Sequence, residues 1–441
     1  MVARIQTNQT QGAVTRYEEA FAQFERDHSA PAWLQAKRRE AIATFSRLGF
    51  PTVRDEEWKY TDITPAANLV ATPIFQFELN GAAAKVRTQL PFQALEGHRL
   101  AFVNGHFAPD LSHVGTLPEG VEVRPLSEAL AAGSERVQQA FGRSVNGEET
   151  FVALNTAFAQ DGAFIFVPAD VELAEAVHLL FLTTGDSATV SHPRNLILLG
   201  QNAKLTVVES YSASTDGVYL TNAVTEIESG AGAHLEHIKA QLESPKAFHI
   251  STTQVGAARD SQLRSSSLNL GGRIVRNNPI AVMQGENAEV TLDGLVLTDN
   301  EQLIDNHTTM DHAEPHCASH ELYAHVLNDK SVGVFNGKIF VRLDAQKTDA
   351  KQSNRTILLS GDATINAKPQ LEILADDVRC THGATIGQLD ENAQFYLQAR
   401  GIPAREARSI LIRAFAGEVL ASITLDAVRD EMEERISNKL Q

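Results

Sequence analysis

LILLGQNAKLTVVES (residues 196–210), TEIESGAGAHLEHIK (225–239) and IAVMQGENAEVTLDG (280–294) are three versions of one pattern. Each sets a glycine, two spacers, an alanine, one spacer and an apolar residue, starting at Gly200, Gly230 and Gly285. TILLSGDATINAKPQ (356–370) is a looser version, with Ala363 only two positions after Gly361. Gly200 to Gly230 is 30 residues, and Gly230 to Gly285 is 55, about two periods of similar length. Recurrence on this scale is the signature of a repeat architecture. Between about Lys204 and Val378 helical periodicity is absent. Instead, apolar and polar residues alternate in Lys204-Leu205-Thr206-Val207, in His234-Leu235-Glu236-His237-Ile238 and in Glu289-Val290-Thr291-Leu292. β-Sandwiches also have many short strands, but they do not repeat a turn signature at this spacing. The pattern predicts a mainly β protein built on a β-solenoid, in which each coil stacks on the last.

Helical segments flank this core. Thr15 and Glu18 have capping-box spacing ahead of Ala20, Phe21 and Phe24. A second helix has Pro31 near its start, Gly49 just past its end, and an apolar stripe of Leu34, Ala41, Phe45 and Leu48. Trp58, in the loop that follows, reads as a packing anchor. Helices return after Asp390. Pro403 suits a first helical turn, Ala407, Ile410, Leu411, Ala414 and Phe415 line one face, and a last helix carries Leu425, Val428, Met432 and Ile436. The expected division is residues 1–105 helical or mixed, 106–388 the β-helix core, and 389–441 a helical unit suited to docking a partner.

The composition, 441 residues with 43% hydrophobic and 21% charged, is that of a soluble globular protein of two or three units. A net charge of −17 argues against a nucleic-acid ligand. The beginning of the chain, MVARIQTNQTQGAVTRYEEA, lacks the apolar core of a signal peptide, and no apolar run is long enough to span a bilayer. Two cysteines, Cys317 and Cys380, cannot form a disulfide framework in a chain of this size. A reducing cytoplasm, without a membrane partner, is the expected setting.

Three motifs invite chemistry. Gly333-Val334-Phe335-Asn336-Gly337-Lys338-Ile339 resembles a phosphate loop, but it has three residues between its glycines and Ile339 after the lysine. A P-loop needs four, and a hydroxyl to hold magnesium. The run 304–325 gathers His307, His312, His316, His320, His325 and Cys317. On alternating strands these face opposite sides and cannot all converge on one ion. Surface and stacking roles suit most of them, and Cys317 reads equally as a buried small hydrophobe or a functional thiol. Cys380 and His382 are two apart, on one face of a strand. The pair is open to a nucleophile reading and a metal reading, with a structural role ahead of both. Common iron–sulfur clusters take four ligands, which two cysteines 63 positions apart do not supply. A cluster site on this chain would have to be shared with another subunit.

PHCASHELY, VFNGKIFV, AQKTDAKQSNRTILLS, the long ADDVRCTHGATIG…FYLQARG signature and LIRAFAGEVL, all between about His307 and Val419, resemble the SufB/SufD core family. These are scaffold subunits of the SUF iron–sulfur cluster assembly machinery. DEEWKYTDI (55–63) resembles the SufD branch. The resemblance implies a right-handed parallel β-helix and a non-catalytic scaffold. It implies pairing with a SufB-like subunit through the β-helix and with a SufC-like ATPase through the C-terminal helices, with ATP bound by that partner alone. A homodimer is open when the SufB-like chain is absent. It further implies a transient cluster, or iron, shared with the SufB-like chain and not held tightly by this chain alone. His382 matches the SufD histidine implicated in cluster building, Cys380 is the adjoining motif cysteine, and Cys317 matches a position where SufB has a functional cysteine. The competing expectations are a β-solenoid enzyme acting on polysaccharide, and an independent metal protein using the histidines between His307 and His325.

Overall fold

The computed structural model describes residues 8–69, 72–73, 90–185 and 188–440. From Ala163 the chain winds through eight coils, each giving one strand to each of two parallel sheets. The first sheet runs from Ala163–Val167 to Thr364–Ile373, and the second from Val177–Thr183 to Arg379–Gly387. Strand pairs in register, such as Leu205, Leu235, Leu263 and Val290, stack one apolar residue of each coil on the next. All four are buried in one core cluster that fills the solenoid lumen. The parallel β-helix expected from the repeats is present.

The repeat signature is the corner that joins the first sheet to the second. A Cβ added to Gly200, Gly230 or Gly285 would meet backbone nitrogen of the previous coil at 2.4, 2.5 and 2.0 Å. Only a residue without a side chain lets the corners stack that closely. Two positions on, Asn202, Gly232 and Asn287 take positive φ, as do Asp170, Asp260, His316 and Lys347 at the same corner of other coils, all between 54° and 68°. Asn and Asp tolerate this conformation and here also bond coil to coil, Asn202 Nδ2 to Asp170 Oδ1 at 2.7 Å and Asn287 Nδ2 to Asp260 Oδ1 at 2.8 Å. Ala203, Ala233 and Ala288 are the fully buried small residues that close the corner. Between Gly230 and Gly285 one corner is written Ala258-Arg259-Asp260-Ser261, which makes the longer interval two coils. The looser match at Gly361 is corrected: it lies at the opposite corner, ahead of the first-sheet strand that starts at Thr364, with open space around it.

The two ends of the solenoid differ. At the first, His98–Val103 pairs with Val177–Thr183 and turns back through His106–Phe107, and Glu122–Pro125 runs antiparallel to Ala163–Val167. At the other, Thr364–Ile373 and Arg379–Gly387 each have one neighbouring strand, and their outer edges are bare among the described residues.

Helices cover both outer faces. Asn8–Asp27 and Ala32–Leu48 pack Phe21, Phe24 and Phe45 toward the first sheet, where Leu220, Phe248 and Ile250 receive them. Thr15 is in mid-helix, its hydroxyl bonded back to Gln11 O at 3.3 Å, so the expected capping box does not form. Trp58 is buried against Phe151 and under the Arg276 guanidinium, the anchor expected of it. The C-terminal helices Ala404–Leu420 and Asp426–Lys439 lie on the second sheet. Val428, Met432 and Ile436 are buried as expected. On the longer helix the buried face is Ala407, Ile412, Ala416, Val419 and Leu420, while Ala414 is exposed. The stripe read from the sequence was rotated by part of a turn, because the sheet meets the helix further round than its apolar density suggests.

Candidate functional site at the open end

Cys380 and His382 lie on the last strand, Arg379–Gly387, in register with Ala350 and Gln352 of the preceding coil. Cys380 continues the inward column of Leu263, Val290, Ser319 and Ala350, and packs against the lumen core. It is half-buried because no further coil covers it among the described residues. Burial pushes its thiol above the ordinary range, the reverse of what an activated nucleophile needs. His382, two residues on, shares that inward face and is exposed at the mouth of the lumen. Gly383 points the other way, with nothing within 4 Å of its missing side chain.

Cys317 is elsewhere. It occupies the corner position of Ala203, Ala233 and Ala288, is 1% exposed, and sets its Sγ 3.3 Å from Gly285 O. Burial raises its thiol as well. The histidines of 304–325 diverge. His307 faces outward between Asp305 Oδ1 (3.0 Å) and Glu57 Oε2 (3.2 Å), and His312 points inward to Ser319 Oγ (2.9 Å). His316 makes the corner, and His325 is fully buried beside Asn354. No group of three or more metal-ligating side chains converges among the described residues. Gly333 and Gly337 are interior positions of the strand Val332–Val341, not a loop around phosphate.

Two features escaped the sequence reading. The segment 55–63 is a strap across the first sheet: Arg276 bonds Glu57 O (2.6 Å) and Asp305 (2.7 Å), Thr61 bonds Asp305 (2.5 Å), and Lys368 of the last coil reaches Glu56 (2.7 Å). The lumen behind His382 is also polar, with Gln352 Nε2 donating to Glu321 Oε2 at 2.6 Å. Both residues precede His382 in one ladder column, visible only once the coil length is known.

Apolar surface collects around the same end. Leu374 is 53% exposed and Ile386 54%, and the helix Glu391–Ala399, which follows the last strand, buries none of its residues and holds up Phe395 (71%) and Tyr396 (57%). Monomers rarely leave such residues clustered in solvent beside unpaired strand edges.

A sequence model described as "SUF system FeS cluster assembly, SufBD core domain" matches residues 181–415, and one for the "SufBD protein N-terminal region" matches 8–179. The chain belongs to the SufBD family. An iron–sulfur cluster assembly SufBD family protein of Synechocystis sp. is 36% identical over 412 residues, covering 91% of this chain and 90% of the relative. The iron–sulfur cluster assembly protein SufD of Escherichia coli is 31% identical over 397 residues, 89% of this chain and 90% of the relative. The SufD of Bacillus subtilis is 25% identical across 96% of this chain and 98% of its own length. The SufBD core match takes in the coils from the second strand of the first coil onward, and so includes the open end with Cys380 and His382. No helix among the described residues is long and apolar enough to cross a membrane.

Proposed function

We propose that this SufBD-family chain is a non-catalytic scaffold subunit that builds iron–sulfur clusters at a site shared with a SufB-like partner. The observation that carries the reading is the uncapped last coil, which presents Cys380 and His382 between two bare strand edges and a patch of exposed apolar residues. A partner strand that continues either sheet covers that patch and brings its own thiolate to the lumen mouth. One imidazole and one thiol are half a ligand set, and the cluster is cargo to be released, so an incomplete set on each chain suits the task. His382 is the donor in this scheme, and Cys380 supports it or joins it. Cys317, in its corner, is assigned to packing. A SufC-like ATPase docks on the C-terminal helices and is the subunit that binds ATP. When the SufB-like chain is absent, a second copy of this chain can take the same edges.

Co-expression with SufB-like and SufC-like chains tests this. The expected outcome is a three-chain complex that accumulates cluster absorbance, and a His382→Ala complex that assembles normally but loses that absorbance. Iron analysis of the isolated chain should find no tightly held metal. A His382→Ala complex that forms clusters as well as the wild type would remove His382 from the site.

A further inference from the structure

The Gln352 amide is 3% exposed and held from two sides. Its nitrogen donates to Glu321 Oε2 at 2.6 Å, and the same nitrogen sits over Gly337, where a Cβ would come within 2.4 Å of it. Gly337 therefore leaves the space that lets this side chain lie across the lumen. With the nitrogen committed, the carbonyl oxygen Oε1 is left over, and it has no hydrogen-bond partner among the described residues. A buried acceptor in that state lacks the hydrogen bond that burial normally demands. The next residue in its ladder column is His382, one parallel step of about 4.8 Å away. An imidazole N–H is the donor that a free carbonyl oxygen in this place would take.

We propose that Gln352 is the positioning residue of the cluster site: its Oε1 accepts one ring N–H of His382, fixes the tautomer, and leaves the other ring nitrogen with its lone pair directed out of the lumen mouth. Histidines that bind metals are oriented in this way, the second nitrogen donating to a carbonyl or carboxyl oxygen behind them. Glu321 and Gly337 act one step further back, the first by holding the amide nitrogen and the second by making room for it. The inference rests on the reading of His382 as a cluster donor, but its central contact belongs to this chain alone and needs neither iron nor partner.

The test is nitrogen NMR of the full-length chain labelled at histidine, with His382→Gln to assign the His382 signals. In the wild type one tautomer of the neutral His382 ring should dominate at high pH. In Gln352→Met, which keeps the length of the side chain and removes the carbonyl, that preference should be lost and a mixture of the two tautomers appear. Should an unpaired Glu321 unfold this variant, the double substitution Gln352→Met/Glu321→Leu removes both polar groups and carries the same expectation. An unchanged His382 tautomer in whichever folded variant is measured overturns the proposal. The reconstituted complex then separates the two readings. Loss of the preference together with impaired cluster formation supports both. Loss of the preference with clusters formed normally, in Gln352→Met and in His382→Ala alike, supports the contact and overturns the donor role of His382.

Discussion

Glu321 is fully enclosed by the solenoid, and burial pushes its carboxyl up to about 7 despite the hydrogen bond from Gln352. Desolvation wins because one neutral amide returns only part of what hydration gives a carboxylate. The sign of the pH effect follows from comparing folded and unfolded chains. The folded state holds the proton more tightly, so this contribution to stability is fully present below about pH 4.5 and is lost as pH rises through about 7, a change of about 3 kcal/mol. Glu321→Gln keeps an acceptor for Gln352 and removes the ionisation. Urea unfolding of the two chains at pH 5 and pH 8 should show the variant gaining on the wild type at the higher pH by about that amount. Equal differences at both values would mean that the carboxyl is solvated in the native state. Asp305 is a buried carboxylate with the opposite outcome. The Arg276 guanidinium, with the His307 ring and the Thr61 hydroxyl, outweighs its desolvation and holds it below the usual range. Two buried carboxyls, one under the strap on the first sheet and one in the lumen on the second, thus differ by whether a cation is within reach.

At the scale of the element, the corner explains both the repeat and its exceptions. Gly285→Ala would drive a methyl into the Arg259 backbone at 2.0 Å, where no flexible side chain can yield. A loss of about 1–3 kcal/mol is expected, as for other overpacked sites. Gly361→Ala, at the opposite corner with nothing within 4 Å, should be neutral or stabilise by a few tenths of a kcal/mol through the unfolded state. The urea midpoints of the two variants decide it, and similar values would contradict the stacking account. The same corner marks what the sequence could show. Three matching glycines disclosed the coil length, because the same close approach of backbone recurs at Gly200, Gly230 and Gly285. The corner at Ala258 was silent, since it carries Ala258 and Ser261 where the matching corners carry Gly and Ala. Cys317, readable as a small hydrophobe or a functional thiol, and His316 beside it have an equally local reason for their places. One is the small buried corner residue and the other takes the left-handed conformation, and either position accepts many residue types. Cys380 and His382 were legible as a same-face pair, since strand parity needs only two residues. Gln352 was not, because its relation to His382 is a ladder contact 30 residues away in sequence.

Across the whole molecule the two ends are unlike. The first coil is closed by strands and helices from residues before Ala163, while the last coil ends in two edges unpaired among the described residues and in exposed apolar side chains. Stacked coils gain stability from their neighbours, so a terminal coil without a cap is the weakest unit of a solenoid. Edges that no partner meets are normally blunted by charge, proline or a covering segment. Here the strap 55–63 reaches the last coil through the ion pair of Glu56 with Lys368, between two exposed side chains and worth at most about 1 kcal/mol. In the proposed function this end is covered by the partner. Lysines placed at Leu374 and Ile386, both more than half exposed, should therefore leave the thermal midpoint of the isolated chain within a degree or two while abolishing co-purification with the SufB-like chain. If a SufC-like chain docks on the C-terminal helices as proposed, its binding should survive. If the double variant still recovers the SufB-like chain at wild-type yield, pairing does not use this end. In that case Cys380 and His382 would lie outside the interface, and a shared cluster site would have to be sought elsewhere on the coils.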